Sequence, residues 1–425
     1  MTERIVSTGR SKVSRRRALK VLGAAGATSL AGAAGWSRAL AQDKSPIKIG
    51  VVLPLSGPYA AQGTGAAQGI QLLAEQTNAK GGLLGRQVQV LVEDSQLKPQ
   101  TAVVKATKLI QQDGCKFLMG EISGASTLAL LEVAEREKTV MVTPYSSPEA
   151  VTGARGTRYE FRTYSNAYIQ AAIAVDAITK AIGKKWAVLA ADYAYGQDYA
   201  NHLRRLVPQH GGTIVAEAFP ALGTTDFVSH LQQVASASPD VLWMVEYGRD
   251  ATVALNQAVS LGLKNRMALG LSVANTEQVT GMQPGVFDGT YSFVTWYPNW
   301  DSADSKAFVT AYFDKHKTYS EAAGVHYIGA QVLFAAVANA GSIEADPVIA
   351  AMEDKEFDTI KGKIKLRAYD HQAVQTYYVG KGATTSDFPV PIYQPVQTYA
   401  PAQVEKDFMP PPDPSVHPVR WRQSK

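Results

Sequence analysis

Hydroxyl-bearing residues follow three apolar segments in the first part of the chain, and these side chains are well suited to bind a ligand. The polar stretches cover residues 54–63, 123–127 and 143–147, and each comes directly after a short apolar run. Serine and threonine hydroxyls, together with free backbone N–H groups at the start of a helix, bind anionic or carbonyl oxygens. The pattern therefore predicts a site for a small carboxylate.

Helix capping is a second explanation for the same serines. Ser123, Ser126 and Ser147 belong to the residue types that most often cap helix N-termini, so each one alone is also explained as a cap. The placement of all three serines after strands of the first series favours ligand binding over helix capping. In an open parallel sheet, ligands bind beyond the carboxyl ends of the strands, where these three loops would converge.

Motifs for catalysis, cofactor binding and metal binding are absent from the sequence. Gly63, Gly65 and Gly69 form G-x-G-x-x-x-G, which has the wrong spacing for a dinucleotide-binding loop. Segment 120–124 places its serine one position late for a nucleophile elbow. The seven histidines form no close pair with metal-ligand spacing, and Cys115 is the one cysteine. We therefore expect no enzymatic activity, no cofactor and no metal.

The positive net charge of +5 is concentrated at the N-terminus. Residues 1–41 contain eight of the 42 Lys and Arg residues and one of the 37 Asp and Glu residues. The remainder therefore carries 34 basic and 36 acidic residues, close to neutrality. A basic footprint for nucleic acid is not supported, so we expect no nucleic-acid partner.

Residues 1–41 have the three parts of a bacterial signal peptide. Arginines at 15–17 precede an apolar run at 21–36, and small residues at 39 and 41 permit cleavage after Ala41. The paired arginines resemble the signal of the twin-arginine (Tat) pathway, with the general secretory (Sec) pathway as the alternative. We expect a periplasmic mature protein; an uncleaved segment that anchors the same protein is the other possibility.

Short apolar runs alternate with segments of helical periodicity over most of the chain, and the alternation occurs in two series. The first series predicts strands at 47–53, 87–93, 117–119 and 140–142, with helices at 63–78, 101–112 and 126–137. The second predicts strands at 186–190, 213–219, 241–245 and 267–271, with helices at 197–206, 226–234 and 250–261. Strands separated by such helices form parallel βαβ units, so we predict an α/β protein with two lobes.

Two further segments stand outside the two series. Helical patterns at 307–317 and 325–339 follow the second series, yet we allow for their packing on the first lobe. Nine of the 21 prolines lie in the last 41 residues. That composition predicts an extended Pro-rich tail at 396–425, which either wraps lobe two or stays disordered.

An ordered series of short motifs resembles the leucine/isoleucine/valine-binding type of periplasmic receptor. The matching stretches begin with IKIG at 47–50, SGP at 56–58, NAKGGLLG at 78–85 and TP at 143–144; they continue with FRT at 161–163, Asp192 with YG at 195–196, DF at 226–227 and PDV at 239–241. Together they span nearly the whole mature chain.

The resemblance implies two Rossmann-like lobes that close on a ligand and are joined by three crossings, near 162–166, 294–298 and 369–372. Lobe 1 would comprise 46–163 plus 298–370, and lobe 2 would comprise 164–297 plus 371–395. It also implies a monomeric import receptor whose closed form is recognised by an inner-membrane ABC permease with ATPase subunits. A ligand sensor for signalling is the alternative of another class.

The family's binding positions fall on particular residues of this chain. The oxygen-binding loops correspond to Ser123 and Gly124, and to Tyr145, Ser146 and Ser147. The wall of lobe 1 corresponds to Gln62, and the aromatic cover from lobe 2 corresponds to Tyr195 and Tyr247. Ordinary core packing is the alternative role for these two tyrosines.

One departure from the family bears on the ligand. In the amino-acid receptors, acidic residues of lobe two hold the ligand's ammonium group, but the corresponding positions here are Ser272 and the neighbourhood of Ala167. A buried ammonium without a carboxylate is unfavourable by several kcal/mol. Glu246 could replace that acid, although strand alternation would turn Glu246 and Tyr247 to opposite faces. We therefore favour a small carboxylate without an amino group, aromatic in view of the tyrosines, with an amino acid or amide as the alternative.

Overall fold

Residues 44–298, 302–386, 388 and 390–409 are described by the structure, which is a computed structural model. The predicted signal peptide and its cleavage site therefore lie outside the described residues, as does the end of the predicted tail.

The first part of the chain alternates strands with helices and builds one parallel sheet. Its elements are β1 (Ile47–Leu53), α1 (Ala60–Ala79), β2 (Val88–Asp94), α2 (Pro99–Gln111), β3 (Phe117–Gly120), α3 (Gly124–Arg136), β4 (Val140–Thr143) and β5 (Glu160–Arg162). The strand order is β2-β1-β3-β4-β5, and every neighbouring pair is parallel. The central strands are buried, so they appear in the sequence as continuous apolar runs.

The second series builds a larger mixed sheet. Its elements are α4 (Ala167–Ala181), β6 (Lys185–Ala190), α5 (Ala194–Gln209), β7 (Thr213–Ala218), α6 (Val228–Ser236), β8 (Val241–Val245), α7 (Arg249–Ser260), β9 (Ala268–Leu271), α8 (Thr276–Thr280) and β10 (Tyr291–Val294). Two later strands, β14 (Tyr377–Ala383) and β15 (Ile392–Tyr399), add to its edge in antiparallel orientation. The order is β15-β14-β10-β9-β8-β6-β7.

The segment after β10 returns to the first sheet. It contains α9 (Ala303–His316), α10 (Glu321–Ala340), α11 (Ala345–Met352) and a small sheet of β11 (Glu356–Thr359), β12 (Gly362–Leu366) and β13 (Ala373–Val374). Helix α10 packs against α1 so closely that a Cβ on Gly69 would lie 2.2 Å from the carbonyl oxygen of Ala323. Helix α10 therefore packs on the side of the first sheet, next to α1.

Helix α10 is the candidate membrane span among the described residues, on grounds of length and composition. Its most apolar window is 83% buried inside the protein. Burial on that scale is typical of a core helix of a soluble domain, and α10 occupies that position between α1 and α11.

The chain crosses between the two sheets three times, so the predicted fold class is confirmed. The crossings follow β5, β10 and β13. At the first and third, Arg162 and Gln372 form a β-bridge, and Arg162 Nε donates to Gln372 Oε1 over 2.6 Å. The buried guanidinium also donates to the carbonyl oxygen of Pro148 over 2.6 Å, which connects the crossing to the loop between β4 and β5.

The first part of the predicted tail lies against the second sheet, in line with the first of the two alternatives given for it. Strand β15 continues past residue 395 to Tyr399, and a short helix, α12 (Pro401–Gln403), follows it. Val404, Phe408 and Met409 are then buried. Proline is tolerated in β15 because the strand lies at the sheet edge, so a Pro-rich composition was a poor guide here. Residues 396–409 belong to the second sheet and its covering layer.

Candidate functional site

A cleft lies at the carboxyl ends of the strands, where both sheets contribute loops. It has about 410 Å³ of empty space, including the part open to solvent. Its lining residues are Tyr59, Ile122, Ser123, Gly124, Tyr145, Ser147, Pro148, Tyr164, Tyr193, Tyr195, Tyr247 and Val273. Six of the nine residues predicted for the site are among them.

The first sheet supplies the side of the cleft that was predicted to bind ligand oxygens. Ser123 is the N-cap of α3, and its side chain accepts a hydrogen bond from the backbone N–H of Ser126 at 3.5 Å. Gly124 allows the second loop to approach, since a Cβ there would lie 2.4 Å from Pro148 Cγ. The start of α3 and the Ser147 loop are therefore adjacent, and N–H groups of the first turn are available to an anion.

A buried carboxyl group that the sequence analysis missed supports this loop. Glu121 is fully buried, and its carboxylate accepts hydrogen bonds from the Ser123 backbone N–H at 2.7 Å and the Ser95 hydroxyl at 2.6 Å. Burial raises the pKa of Glu121 to about 7, against the effect of those hydrogen bonds. Its position directly after β3 was the one available signal.

Six tyrosines make the cleft aromatic. Tyr59 and Tyr247 meet edge to face with ring centroids 4.9 Å apart, and Tyr145 lies 4.5 Å from Tyr164 and 5.9 Å from Tyr247. Burial raises the pKa of these hydroxyls, so the rings are neutral phenols at physiological pH. Tyr145, Tyr195 and Tyr247 were predicted. Tyr59, Tyr164 and Tyr193 were not.

Polar contacts cross the cleft and hold its two sides together. Gln170 Nε2 in α4 donates to Ser147 Oγ over 2.9 Å, and Gln170 Oε1 lies 2.9 Å from the Tyr195 hydroxyl. Asn275 Nδ2 donates to the Tyr247 hydroxyl over 3.1 Å and lies 3.4 Å from that of Tyr145. Neither Gln170 nor Asn275 was predicted, because nothing local in the sequence distinguishes them.

Three predicted residues do not line the cleft in this structure. Gln62 is buried inside the first turn of α1, and Tyr59, just before the helix, lines the wall instead. Ser146 is buried behind its neighbours. Ser272 is buried too, and its hydroxyl accepts a hydrogen bond from that of Tyr195 over 3.1 Å, so Ser272 contacts a lining residue without lining the cleft itself.

Glu246 has the orientation that alternation predicts, because Tyr247 lines the cleft and Glu246 does not. The side chain is 1% exposed, and burial, followed by the nearby charge of Asp250, raises the pKa of Glu246 to about 9. Among the described residues no cluster of His, Cys, Asp and Glu could hold a metal ion.

A family model described as "Periplasmic binding protein" matches residues 46–387. The chain belongs to the periplasmic binding protein family. Its type I fold and its relatives assign it to the substrate-binding receptors of ABC transporters, and the family name implies a periplasmic location.

Individual relatives agree on the class and differ in their ligands. The Leu/Ile/Val-binding protein homolog 8 of Brucella suis is 29% identical over 76% of this chain and 83% of its own length. A periplasmic binding protein from Burkholderia mallei superposes with a TM-score of 0.79, at 25% identity over 85% of this chain and 98% of the other. A solute-binding protein from Rhodopseudomonas palustris, solved with 3,4-dihydroxybenzoic acid, has a TM-score of 0.77 at 23% identity, over 84% and 98% of the two chains. That last likeness concerns the fold alone.

Proposed function

We propose that this periplasmic binding protein captures a small aromatic carboxylate without an amino group and delivers it to an ABC permease with ATPase subunits. The observation that carries the proposal is the cleft itself. Six neutral tyrosines form its walls, and the position of the family's ammonium-binding acid holds Ser272, whose hydroxyl is already engaged with Tyr195.

The two sides of the cleft suit the two parts of such a ligand. The N-terminus of α3 with Ser123, Gly124 and Ser147 offers N–H and hydroxyl donors and a favourable dipole to a carboxylate. The tyrosine rings offer edge and face contacts to an aromatic ring. Export by the Tat pathway, cleavage after Ala41 and a monomeric state are parts of the same proposal.

An α-amino acid is the second candidate, because several relatives are named for leucine, isoleucine and valine. That reading requires an ionised carboxylate at the ligand's ammonium group. Within the described residues, the cleft lining contains no acidic side chain.

A thermal-shift screen of the mature chain, residues 42–425, separates the candidates. A ligand present at 100 times its Kd stabilises a protein by about 2.7 kcal/mol. We expect benzoate or phenylacetate to raise the melting temperature while leucine and valine do not. A shift with leucine and none with the aromatic acids would replace the proposal with the amino-acid receptor.

Matched serine variants test the placement of the carboxylate. Ser123→Ala and Ser147→Ala should each weaken aromatic-acid binding by about 1 kcal/mol, a few-fold in Kd. Ser302→Ala is the control, because Ser302 also caps a helix but does not line the cleft. Unchanged Kd in both site variants would remove these loops from the site.

A further inference from the structure

Glu246 is a buried carboxyl group that the described contacts leave unsatisfied. It follows the last residue of β8 at the carboxyl edge of the second sheet, and its side chain is 1% exposed. Neither carboxyl oxygen has a hydrogen-bond partner among the described residues. A buried polar group without a partner costs about 1 to 3 kcal/mol, and such groups are rare enough in folded proteins to need an explanation.

The surroundings of Glu246 keep it protonated. Burial is the largest cause of its raised pKa, and the negative charge of Asp250 adds to it. Asp250 accepts a hydrogen bond from the backbone N–H of Gly223 over 2.6 Å. Burial raises the pKa of Asp250, while that hydrogen bond and the charge of Arg249 lower it. A neutral carboxyl group has one O–H donor and one carbonyl acceptor, so Glu246 presents an unused hydrogen bond of each kind.

Glu246 lies next to the aromatic wall of the cleft. Tyr59 and Tyr193 both line the cleft, and burial raises the pKa of each hydroxyl, to which the nearby Glu246 adds once it is ionised. The backbone two residues after Glu246 touches the same wall, since a Cβ on Gly248 would lie 2.9 Å from Tyr59 Cδ1. This is the second-sheet side of the cleft, whereas Ser123, Gly124 and Ser147 belong to the first-sheet side.

We propose that Glu246 is a specificity-determining residue that selects aromatic acids carrying a ring hydroxyl. The hydroxyl enters between Tyr59 and Tyr193, donates to the carbonyl oxygen of Glu246 and accepts from its O–H group. The ligand's carboxylate stays with the loops of the first sheet. This inference rests on the proposed function and narrows its ligand class from aromatic carboxylates to hydroxy-substituted ones.

Calorimetric titration with benzoate, 3-hydroxybenzoate and 4-hydroxybenzoate tests the selection. We expect the wild type to bind at least one hydroxybenzoate about tenfold or more tightly than benzoate, as two hydrogen bonds to a buried group imply. Glu246→Gln should keep that preference, because an amide also has a donor and an acceptor. Glu246→Leu should lose the preference.

Glu160→Gln is the matched control. Glu160 is also a buried acid whose pKa burial raises, but it lies in β5 of the first sheet and not at the carboxyl edge of the second. The preference should be unchanged in this variant. Melting curves of all variants, measured without ligand, identify any that fail to fold; if Glu246→Leu is one of them, Glu246→Met, which also lacks the donor and acceptor pair, takes its place.

The outcomes separate this inference from the proposed function. If benzoate binds the wild type and no hydroxybenzoate binds more tightly, or if the preference survives in Glu246→Leu, the role of Glu246 is wrong and the aromatic-acid receptor stands. If no aromatic acid binds, the proposed function fails. If leucine binds the wild type but not Glu246→Gln, Glu246 is an ionised ammonium ligand, and both proposals are overturned.

Discussion

Glu121 shows how a single buried side chain supports the binding loop. Its carboxylate holds the backbone of Ser123 and the hydroxyl of Ser95, and it has no direct place in the cleft lining. An acid in this position accepts two hydrogen bonds that otherwise would be unsatisfied. Because burial raises the pKa of Glu121 to about 7, we expect the loop to respond to pH near neutrality.

The pH dependence of stability should report on Glu121. The pKa of Glu121 is about 7 in the folded protein against an ordinary value of 4.5, so the folded state binds more protons between these values. Its contribution to the free energy of unfolding is then full below pH 4.5 and falls as the pH rises to 7. Each pKa unit corresponds to about 1.4 kcal/mol. In thermal melts from pH 4.5 to 8, the melting temperature of Glu121→Gln should fall less with rising pH than that of the wild type.

Glu132→Gln provides the control for this prediction, because Glu132 is exposed and pairs with Arg155 at the surface. Its melting temperature should follow the wild-type pH curve. If Glu121→Gln follows that curve as well, the carboxyl of Glu121 does not titrate in this range.

At the scale of elements, α8 of the second lobe meets the N-terminus of α10 in the first. Thr276 Oγ1 accepts the backbone N–H of Glu321 over 2.7 Å, and the Ser320 hydroxyl donates to the carboxylate of Glu277. Gly65 in α1 permits this approach, because a Cβ there would lie 2.2 Å from Ser320 Oγ. These contacts join the lobes outside the ligand cleft.

Removing this contact should weaken ligand binding without altering the cleft. Glu277→Ala deletes the acceptor for Ser320. In the proposed closure of the lobes on a ligand, the closed state should then be less populated and the apparent Kd should rise, by about tenfold for a loss of 1.4 kcal/mol. Calorimetry with the ligand found in the screen measures the Kd, and small-angle scattering measures closure. Gly65→Ala should act in the same direction.

Glu75→Ala is the comparison for the contact between the lobes, since Glu75 of α1 pairs with Lys315 of α9 within the first lobe. Its Kd should match that of the wild type. Equal Kd values for Glu75→Ala and Glu277→Ala would show that the contact has no part in closure.

At the scale of the whole molecule, the C-terminal segment closes the second lobe. Tyr399 ends β15 and donates its hydroxyl to Asp176 of α4 over 2.9 Å. Val404, Phe408 and Met409 are at most 6% exposed and belong to the large apolar core. Because α4 also carries Gln170, this segment supports the helix that reaches the ligand cleft.

A chain ending at residue 395 should therefore be much less stable than one ending at 409. Burial of a large apolar side chain contributes about 1.5 to 3 kcal/mol, and three such side chains are lost with residues 396–409. Urea denaturation of both shortened chains and of the mature protein measures the difference. Equal midpoints for all three would mean that the segment adds nothing to the fold.

The sequence by itself determined the fold class, because parallel strands that are buried on both faces must be apolar throughout. Strands β1 and β8 were predicted with the bounds that the structure has, Ile47–Leu53 and Val241–Val245. The loops at Ser123 and Ser147 were predicted for a related reason, since βα alternation fixes which loops follow the carboxyl ends of the strands.

Only the tertiary structure decided which side chains meet in the cleft. Asn275 lies 130 residues from Tyr145 in the chain, and the contact exists because two lobes bring α8 opposite the loop after β4. Tyr59 replaced Gln62 because α1 begins at Ala60, and helix ends shift by a residue or two without a clear sequence signal. Edge strand β15 was not predicted, because Pro395 lies within it. The contact of Asn275 with Tyr145 joins segments that are far apart in the sequence, so local periodicity could not predict it.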